Sequence, residues 1–521
     1  MSTTSPDPVD VPAYLSGRVV TRAANAKFTR LIRAVFSFPV FLGFALTALT
    51  ALTVRGRFDD SDLWWHLKMG QIVWTTKSVP TTEIFSHTAA GHFWIPHEWL
   101  AQLSIYAAYW LAGYSGLMLW LIAFPSLLLV LLYGLSCLYS GNAKVSFVGG
   151  LIGWYFATAG LAIRPQVLGY LLLVVELLLL QLGRTRDRRW FWGLPLLFAI
   201  WVNCHGSYSF GLLVLLVTAA CGFCELRIGP IVSSAWTPAT RRTLMAASVA
   251  SVAALFCNPM GWRLLTYPIN VLFHQHTGLA NVDEWLPLSF SDPRAPGLLL
   301  ILGGAGCAAA ARTVEIRLEE LILVSIAGVL AAQHQRMLFV FGIMAAPVVC
   351  RMLSGCWERY ELKRDLPAAN AVCIAIAIVV IAVSFPSQSE LQSQVSKTSP
   401  VAAAEFVRKA HLRGPMLNDY WFGGYLIWAL PEHKVFVDGR SDVFEWTGVL
   451  KSFSRWALLE EDPQILLDRY HIQFCVLDSG SPISRVVPYL PGWRKAYGDA
   501  RASVFVRQNP AVAPPVAPKV Q

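Results

Sequence analysis

The chain has 521 residues, of which 55% are hydrophobic and only 14% are charged, and it contains 20 tryptophans. Soluble domains usually carry about 25% charged residues, so this composition excludes an ordinary soluble protein. The net charge of +10 would suit nucleic-acid binding by number alone. Most of the lysines and arginines, however, lie in short loops between apolar blocks, as in the cytoplasmic loops of membrane proteins. We therefore expect a membrane lipid environment and no nucleic-acid partner.

Residues 1–34 are polar and basic, lack a cleavable signal-peptide pattern and predict a cytoplasmic tail. Apolar blocks then recur up to residue 386, many of them near the length that crosses a hydrocarbon core of about 30 Å. Because backbone polar groups must be satisfied within the chain in that core, these blocks are predicted to be helices. Eleven spans are predicted, at residues 35–54, 116–139, 145–163, 166–183, 190–204, 208–226, 243–257, 297–311, 319–332, 337–353 and 368–386.

Basic loops indicate the orientation of these spans, because positively charged loops stay in the cytoplasm. An odd number of spans places the basic N-terminal tail and all basic loops on that side. The block 99–112, which carries Tyr109 and Trp110, is therefore predicted to lie along the membrane interface. The chain is predicted to reside in a bacterial inner membrane, with its C-terminus in the periplasm. The basic loops are residues 184–189, 227–242, 312–317 and 351–364.

The first predicted periplasmic loop, residues 55–98, opens with Asp59, Asp60, Ser61 and Asp62. Three carboxylates at the mouth of a span repel one another and are partly desolvated, which indicates a task or a counter-charge. A carboxylate close to an acceptor hydroxyl can act as a general base. Asp60 and Asp62 can also hold a divalent cation such as Mg²⁺ or Mn²⁺. The alternative is a helix cap, in which Asp60 or Ser61 precedes a helix that begins at Asp62.

His97 and Glu98 stand just before the predicted interfacial helix. They are candidates for binding phosphate or for catalysis, and the alternative is that they anchor the helix at the lipid headgroups. Zinc is disfavoured, because His66 and His97 are not part of a tight His/Cys spacing.

Further candidates follow at the outer ends of later spans. Arg164 and Arg336 are suited to phosphate, since a guanidinium makes two parallel hydrogen bonds; the alternative is snorkelling to the headgroups. Asn203 and His205 follow a predicted span and are candidate substrate-binding residues. Glu284, in the outer loop 258–296, is the acid favoured there.

Residues 387–507 change composition and predict a small periplasmic α/β domain. Asp419 and the pair Asp438 and Arg440 each follow a predicted strand, the place where α/β domains hold ligands. The alternative is an ordinary turn in which Asp438 pairs with Arg440. The tail 508–521 is rich in Pro, Ala and Val and is predicted to be disordered. Helices are predicted at 401–410 and 465–470, and strands at 434–437 and 474–477.

The order of these parts resembles the GT-C superfamily of membrane glycosyltransferases, which have an all-α membrane domain. The strings DSDLWWHLKMG, PHEWL, NCHG, NPMGW, DEW, NDYWFGGYLIW and VFVDGRSD resemble a bacterial group of GT-C-like proteins over about residues 35–507. The resemblance implies sugar transfer from a polyprenyl-phosphate or polyprenyl-diphosphate carrier to a glycan or lipid acceptor outside the cytoplasm. It also implies that an acid of the first outer loop is a base or metal ligand, a role that falls to Asp60 and Asp62 before Asp59.

The predicted reaction is a single inverting displacement, in which Asp60 or Asp62 takes the acceptor proton and Glu98 is a further catalytic candidate. Arg164 and Arg336 would hold the leaving phosphate, assisted by histidine. A transporter or flippase is one alternative, although the internal repeats and broken helices typical of transporters are not seen. A non-catalytic protein of polysaccharide assembly is the other. The enzyme hypothesis requires that the acids and arginines gather around one cavity.

Overall fold

The computed structural model describes residues 29–158, 160–274 and 283–508. Most of the predicted tail 1–34 and nearly all of the predicted tail 508–521 lie outside the described residues. A helix occurs at each of the eleven predicted positions, and two further helices, Leu63–Thr76 and Trp262–His274, are additional. The helices up to residue 384 are α1 (Phe38–Val54), α2 (Leu63–Thr76), α3 (Trp99–Ser140), α4 (Ala143–Ala157), α5 (Gln166–Thr185), α6 (Gly193–Trp201), α7 (Tyr208–Cys221), α8 (Pro238–Ala254), α9 (Trp262–His274), α10 (Ala295–Ala310), α11 (Leu318–Gln333), α12 (Leu338–Met352) and α13 (Pro367–Ser384).

The number of membrane spans is not confirmed as eleven. Helix α6 has nine residues, about 14 Å at 1.5 Å per residue, which is short of a hydrocarbon core. Helices α7 and α10 are apolar but shorter than 18 residues. Five helices in the described part of the chain are long and apolar enough to cross a membrane: Thr29–Val54, Trp99–Ser140, Gln166–Thr185, Gln335–Met352 and Pro367–Ser384.

Helix α3 is two helices joined at a break. Ala112 (φ −148°) and Gly113 (φ 57°) leave helical geometry, and this break falls where the predicted interfacial helix 99–112 ends. The first part packs closely on α2, because Gly70 has no side chain and a Cβ there would overlap the backbone of Gln102. The predicted outer-loop segment and the predicted interfacial helix thus form one packed layer.

The C-terminal domain is mixed α/β, as predicted. Its sheet has the order β4-β5-β7-β6, with β4 and β5 parallel and the other pairs antiparallel. A separate small sheet β1-β2-β3 joins two of the predicted basic loops. The strands are β1 (Leu226–Ile228), β2 (Ile231–Ser233), β3 (Ile316–Arg317), β4 (Met416–Asn418), β5 (Phe474–Asp478), β6 (Trp493–Gly498) and β7 (Ala502–Arg507); the helices are α14 (Gln388–Thr398), α15 (Val401–Lys409), α16 (Gly423–Ala429), α17 (Ser441–Trp446), α18 (Val449–Ala457), α19 (Pro463–Arg469) and α20 (Pro482–Val486).

The predicted strand at 434–437 is wrong, because this segment does not join the sheet. Val435 instead makes an isolated parallel bridge with Ser86: its N–H donates to Phe85 O over 3.0 Å, and its carbonyl accepts from His87 N over 3.1 Å. Residues 435–437 are buried like a strand, but the backbone of Val435 is hydrogen-bonded to the first outer loop. This pairing ties the C-terminal domain to the membrane domain.

A second contact places the same domain over the start of α2. Trp64 and Tyr425 meet edge to face with ring centroids 5.1 Å apart. Gly424 lies directly on Ser61, where a Cβ would overlap the Ser61 carbonyl oxygen. One continuous buried apolar cluster runs from the membrane helices into the C-terminal domain. The turns of this domain are therefore held against the aspartates of the first outer loop.

Candidate functional site

Arg164, just before α5, gathers three carboxylates from distant parts of the chain. Its Nη2 lies 3.0 Å from Asp60 Oδ1, and its Nε donates to the other oxygen of Asp60. Nη2 is also 3.3 Å from Asp62 Oδ2, and Nη1 donates to Glu284 Oε1 over 2.7 Å. We call these four residues the acid–arginine cluster. The carboxylates raise the pKa of Arg164 against the opposing effect of burial, so this cation is fixed in place.

The local fold gives the side chains of Asp60 and Asp62 different hydrogen-bond partners. Asp60 Oδ1 accepts the N–H of Asp62 over 2.9 Å, which closes the turn that leads into α2. The helix begins at Leu63 with Asp62 as its N-cap residue, and the Asp62 side chain makes no capping hydrogen bond. The helix thus begins one residue later than predicted, and neither Asp60 nor Ser61 is its N-cap residue. The Asp62 carboxylate instead accepts from Trp65 Nε1 over 3.2 Å.

The carboxyl group of Asp62 has a raised pKa. Burial is the largest effect on it and, together with repulsion from Asp60, raises its pKa from 3.8 to about 6, although Arg164 opposes the rise. A carboxyl group with a pKa near neutrality is ionised at pH 7 and still basic enough to accept a proton. Gly439 closes over it, and a Cβ at that position would overlap Asp62 Oδ1.

A cavity of about 630 Å³, here called the outer cavity, lies beside the cluster. Glu284 connects the two, because its second oxygen is 3.8 Å from Arg336 Nη1 and Arg336 lines the cavity. Of the predicted acids and arginines, Glu98, Arg336 and Arg440 line the cavity. Asp60, Asp62 and Arg164 lie beside it and are connected to Arg336 through Glu284. Its ionisable lining comprises His97, Glu98, Tyr170, His205, Tyr267, His334, Arg336, Arg440 and Asp442.

Three histidines surround Glu98, and two of them, His97 and His205, line this cavity. His97 Nε2 and His205 Nε2 each lie 3.6 Å from Glu98 Oε1, and His66 Nδ1 lies 3.8 Å from Oε2. Burial raises the pKa of Glu98. Burial also lowers the pKa of His66 and of His205 well below the usual value, and nearby arginines act in the same direction. His66 and His205 are therefore neutral at pH 7 and can donate one hydrogen bond each.

Asp438 and Arg440 form a buried ion group. Arg440 Nε donates to Asp438 Oδ1 over 2.7 Å, and Nη2 is 3.1 Å from Glu83 Oε1. The guanidinium also stands 4.8 Å above the ring of Trp94. This arrangement matches the predicted alternative of a turn in which Asp438 pairs with Arg440. The turn holds Gly439 against Asp62. Arg440 borders the outer cavity with its charged nitrogens already paired.

Asn203 and Asp419, two of the predicted binding residues, make structural contacts instead. The Asn203 side chain accepts from Trp99 Nε1 over 2.7 Å and donates to Ala199 O and Cys257 O, each over 2.8 Å, so it joins three helix ends. Asp419 accepts from Trp421 N over 3.1 Å at the end of β4. Neither side chain lines the outer cavity, and both hold backbone in place.

The side chains of Asp60 and Asp62 are not arranged to bind a divalent cation. Both oxygens of Asp60 face the Arg164 guanidinium, whose positive charge lies where a cation would bind. The described residues also contain no group of three His, Cys, Asp or Glu side chains able to hold a metal ion. The magnesium or manganese site predicted there has no support in this donor set.

The sequence did not identify His66, Tyr267 and Asp442 as site residues. Tyr267 donates its hydroxyl to Asp442 Oδ2 over 3.1 Å, and its ring lies 4.4 Å from that of His97. His66 had a signal, because it follows Asp62 by four residues and so shares its helix face. Tyr267 and Asp442 had none, since only the packing of α9 against the C-terminal domain brings them together.

No family model matches the sequence, and no curated protein sequence is significantly similar to it. Solved structures do match its fold. ArnT from Cupriavidus metallidurans, bound to undecaprenyl phosphate, aligns with a TM-score of 0.54 at 12% identity, over 89% of this chain and 97% of ArnT. The Archaeoglobus fulgidus oligosaccharyltransferase, tethered to an acceptor peptide, aligns with a TM-score of 0.52 at 10% identity, over 91% of this chain and 75% of that one. The chain therefore has the fold of GT-C membrane glycosyltransferases, as the sequence resemblance predicts.

Proposed function

We propose that the chain transfers a sugar from a polyprenyl-phosphate-linked donor to a glycan or lipid acceptor at the periplasmic face of a bacterial inner membrane. The observation that carries this proposal is the acid–arginine cluster, in which Arg164 holds Asp60 and Asp62 beside the outer cavity. The fold supports it, since one structure of similar fold is bound to undecaprenyl phosphate. The clustering of polar groups at one end of the helices favours chemistry at the membrane surface over transport across it.

Asp62 is the general base in this proposal. Asp60 is engaged through both oxygens by Arg164 and acts as a positioning residue. The Asp62 contacts are longer, at 3.2 Å and 3.3 Å, and its pKa of about 6 suits proton transfer near neutral pH. The acceptor hydroxyl attacks the anomeric carbon and gives its proton to Asp62, while the bond between that carbon and the phosphate oxygen breaks. A single displacement of this kind inverts the anomeric configuration.

Arg336 is the cation for the leaving phosphate. Its ion-pair partner in the described structure, Glu284, is 3.8 Å away, so its N–H groups remain available to a ligand in the outer cavity. The guanidinium of Arg336 lies 5.3 Å from the centre of the Trp285 ring, in a cation–π contact. Arg164, saturated by three carboxylates, positions the acids instead of binding phosphate. Hydrogen-bond donors fixed before the reaction stabilise the charge that develops on the leaving oxygen.

Glu98 is a positioning residue for the histidines of the cavity. It lies 3.6 Å from both His97 Nε2 and His205 Nε2 and so orients both imidazoles along one wall. His205 Nδ1 accepts the N–H of Ser207 over 3.1 Å, so the single N–H of its neutral ring is on Nε2 and faces Glu98. Arg336 is therefore the main donor to the phosphate in this proposal.

The test is transfer by the purified chain in lipid nanodiscs from a panel of undecaprenyl-phosphate and undecaprenyl-diphosphate sugars. Asp62→Asn is expected to lower transfer by at least about 100-fold, the usual effect of losing a general base. Asp59→Asn is the matched control, since Asp59 is exposed and makes no hydrogen bond or ion pair within the described ranges. Undiminished transfer by a correctly folded Asp62→Asn variant, or no transfer by the native chain from any donor, would contradict the proposal.

A further inference from the structure

A second concavity, here called the basic groove, lies on the C-terminal domain and has a volume of about 550 Å³. It is formed by the end of α15, the loops 410–415 and 431–434, and one histidine of the first outer loop. It shares no lining residue with the outer cavity. Its ionisable lining comprises His87, Arg408, His411, Arg413, Glu432, His433 and Lys434.

The cations of this groove are not neutralised by the protein. Arg413 and Lys434 are exposed, and within the part of the chain that the structure describes neither has a hydrogen-bond or ion-pair partner. Arg408 donates to the backbone carbonyl of Ala429 and keeps its charge. Three cations face one acid, Glu432, which gives a net charge of +2 before any histidine is protonated. Concave walls concentrate the field of such charges.

The groove and the acid–arginine cluster are joined by one short segment. Lys434 lines the groove, and Gly439, five residues later, lies against Asp62. Five residues span at most about 18 Å, the length of a short oligosaccharide. The bridge between Val435 and Ser86 holds this segment to the first outer loop, so the separation is fixed by the fold.

We propose that the basic groove binds an anionic glycan, one whose sugars carry carboxylate or phosphate groups, and so holds the outer part of the acceptor while its growing end reaches Asp62. The guanidinium of Arg413 matches carboxylate and phosphate oxygens in two parallel hydrogen bonds. A glycan fits better than an anionic membrane surface, because a chain enters a concavity whereas a flat layer of headgroups contacts the rim alone. The acceptor role rests on the proposed function; the binding does not.

The experiment measures binding of hexagalacturonate to the full chain in nanodiscs of zwitterionic lipid, with neutral maltohexaose as the comparison ligand. The double variant R413A/K434A is expected to bind hexagalacturonate about tenfold more weakly, since it loses charge-assisted hydrogen bonds. The control K409A/R485A removes two exposed charges of the same domain outside the groove and is expected to bind as the native chain does. Thermal unfolding checks that both variants are folded.

Equal binding by the native chain and by R413A/K434A would overturn the proposal, as would equal affinity for maltohexaose. Binding of anionic phospholipid vesicles through Arg413 and Lys434, without binding of hexagalacturonate, would assign the groove to the membrane and also overturn it. Asp62→Asn separates the two proposals. Retained binding with lost transfer is the expected result, whereas native transfer by Asp62→Asn contradicts the proposed function without touching the groove.

Discussion

Helices α5, α11 and α12 carry charged residues at both ends, and the two ends are built differently. At one end, Arg164 and Arg336 meet the acids of the outer loops beside a cavity of about 630 Å³. At the other, Glu319 pairs with Arg184 and Glu320 pairs with Arg351, whose Nε lies 3.0 Å from Glu320 Oε1. The space beside these pairs is about 40 Å³. We call this second group, completed by Arg317 at 3.7 Å from Glu320, the inner clamp.

The comparison shows how a structural group of ion pairs can be distinguished from a candidate functional site. In the inner clamp each acid faces at least one arginine, Glu320 faces two, and little space is left, so the charges hold helix ends together. In the acid–arginine cluster three carboxylates share one arginine, and one of them keeps a raised pKa beside a ligand-sized space. A carboxyl group with a raised pKa next to a cavity marks a candidate functional site. The two groups therefore respond differently to mutation.

Among the variants Arg336→Ala, Arg351→Ala and Arg227→Ala, the first gives the largest expected loss of activity. Removing a donor that stabilises developing charge typically lowers kcat by about 10²–10³-fold, and Arg440, the other arginine among the described residues that line the outer cavity, has its nitrogens already paired. The measurement is kcat/KM for transfer from a polyprenyl-phosphate sugar. Arg336→Lys, which keeps the charge but loses the planar fork, is expected to recover part of the activity. A loss smaller than threefold in Arg336→Ala would remove Arg336 from the mechanism.

Arg351→Ala is expected to act on stability instead. It leaves Glu320, whose side chain is 3% exposed, buried with Arg317 as its nearest cation, at 3.7 Å. Breaking a buried ion pair costs about 3–5 kcal/mol in the free energy of unfolding. Thermal unfolding in detergent measures this as a lower Tm, while the folded fraction keeps its kcat. An unchanged Tm would show that the inner clamp does not stabilise the fold.

Arg227→Ala is the smallest of the three effects. Arg227 pairs with Glu315 over 3.1 Å, but both side chains are more than half exposed. Exposed pairs contribute less than about 1 kcal/mol, so Tm and transfer activity are expected to stay close to the native values. A Tm as low as that of Arg351→Ala would mean that burial does not separate the two pairs.

Much of this site could be predicted from the sequence, because its parts stand out locally. Asp60 and Asp62 are adjacent acids after an apolar block, and Arg164 and Arg336 are charges at the ends of apolar blocks. The positive-inside rule predicted all four on one side, and the structure brings them together through Glu284. The positions of the helices could be predicted equally well, because an apolar run in a membrane must satisfy its backbone hydrogen bonds internally wherever it lies.

The errors arose where long-range packing decides. Residues 434–437 have the buried pattern of a strand, and only the position of Ser86 shows that they pair with the first outer loop. Asn203 has the composition of a binding residue, but the approach of Trp99 makes it a structural bridge. Asp442 joins the cavity through Tyr267, 175 residues away, and no local pattern encodes such a contact.

The pH dependence of kcat/KM tests the central claim, that Asp62 is the base, most directly. Because its pKa is raised to about 6 and the ionised form accepts the proton, activity is expected to rise with pH and to level off above about pH 7. Below pH 6 it should fall about tenfold per pH unit, and Asp59→Asn should show the same profile. A level profile from pH 5 to 8 in the native chain would contradict the account.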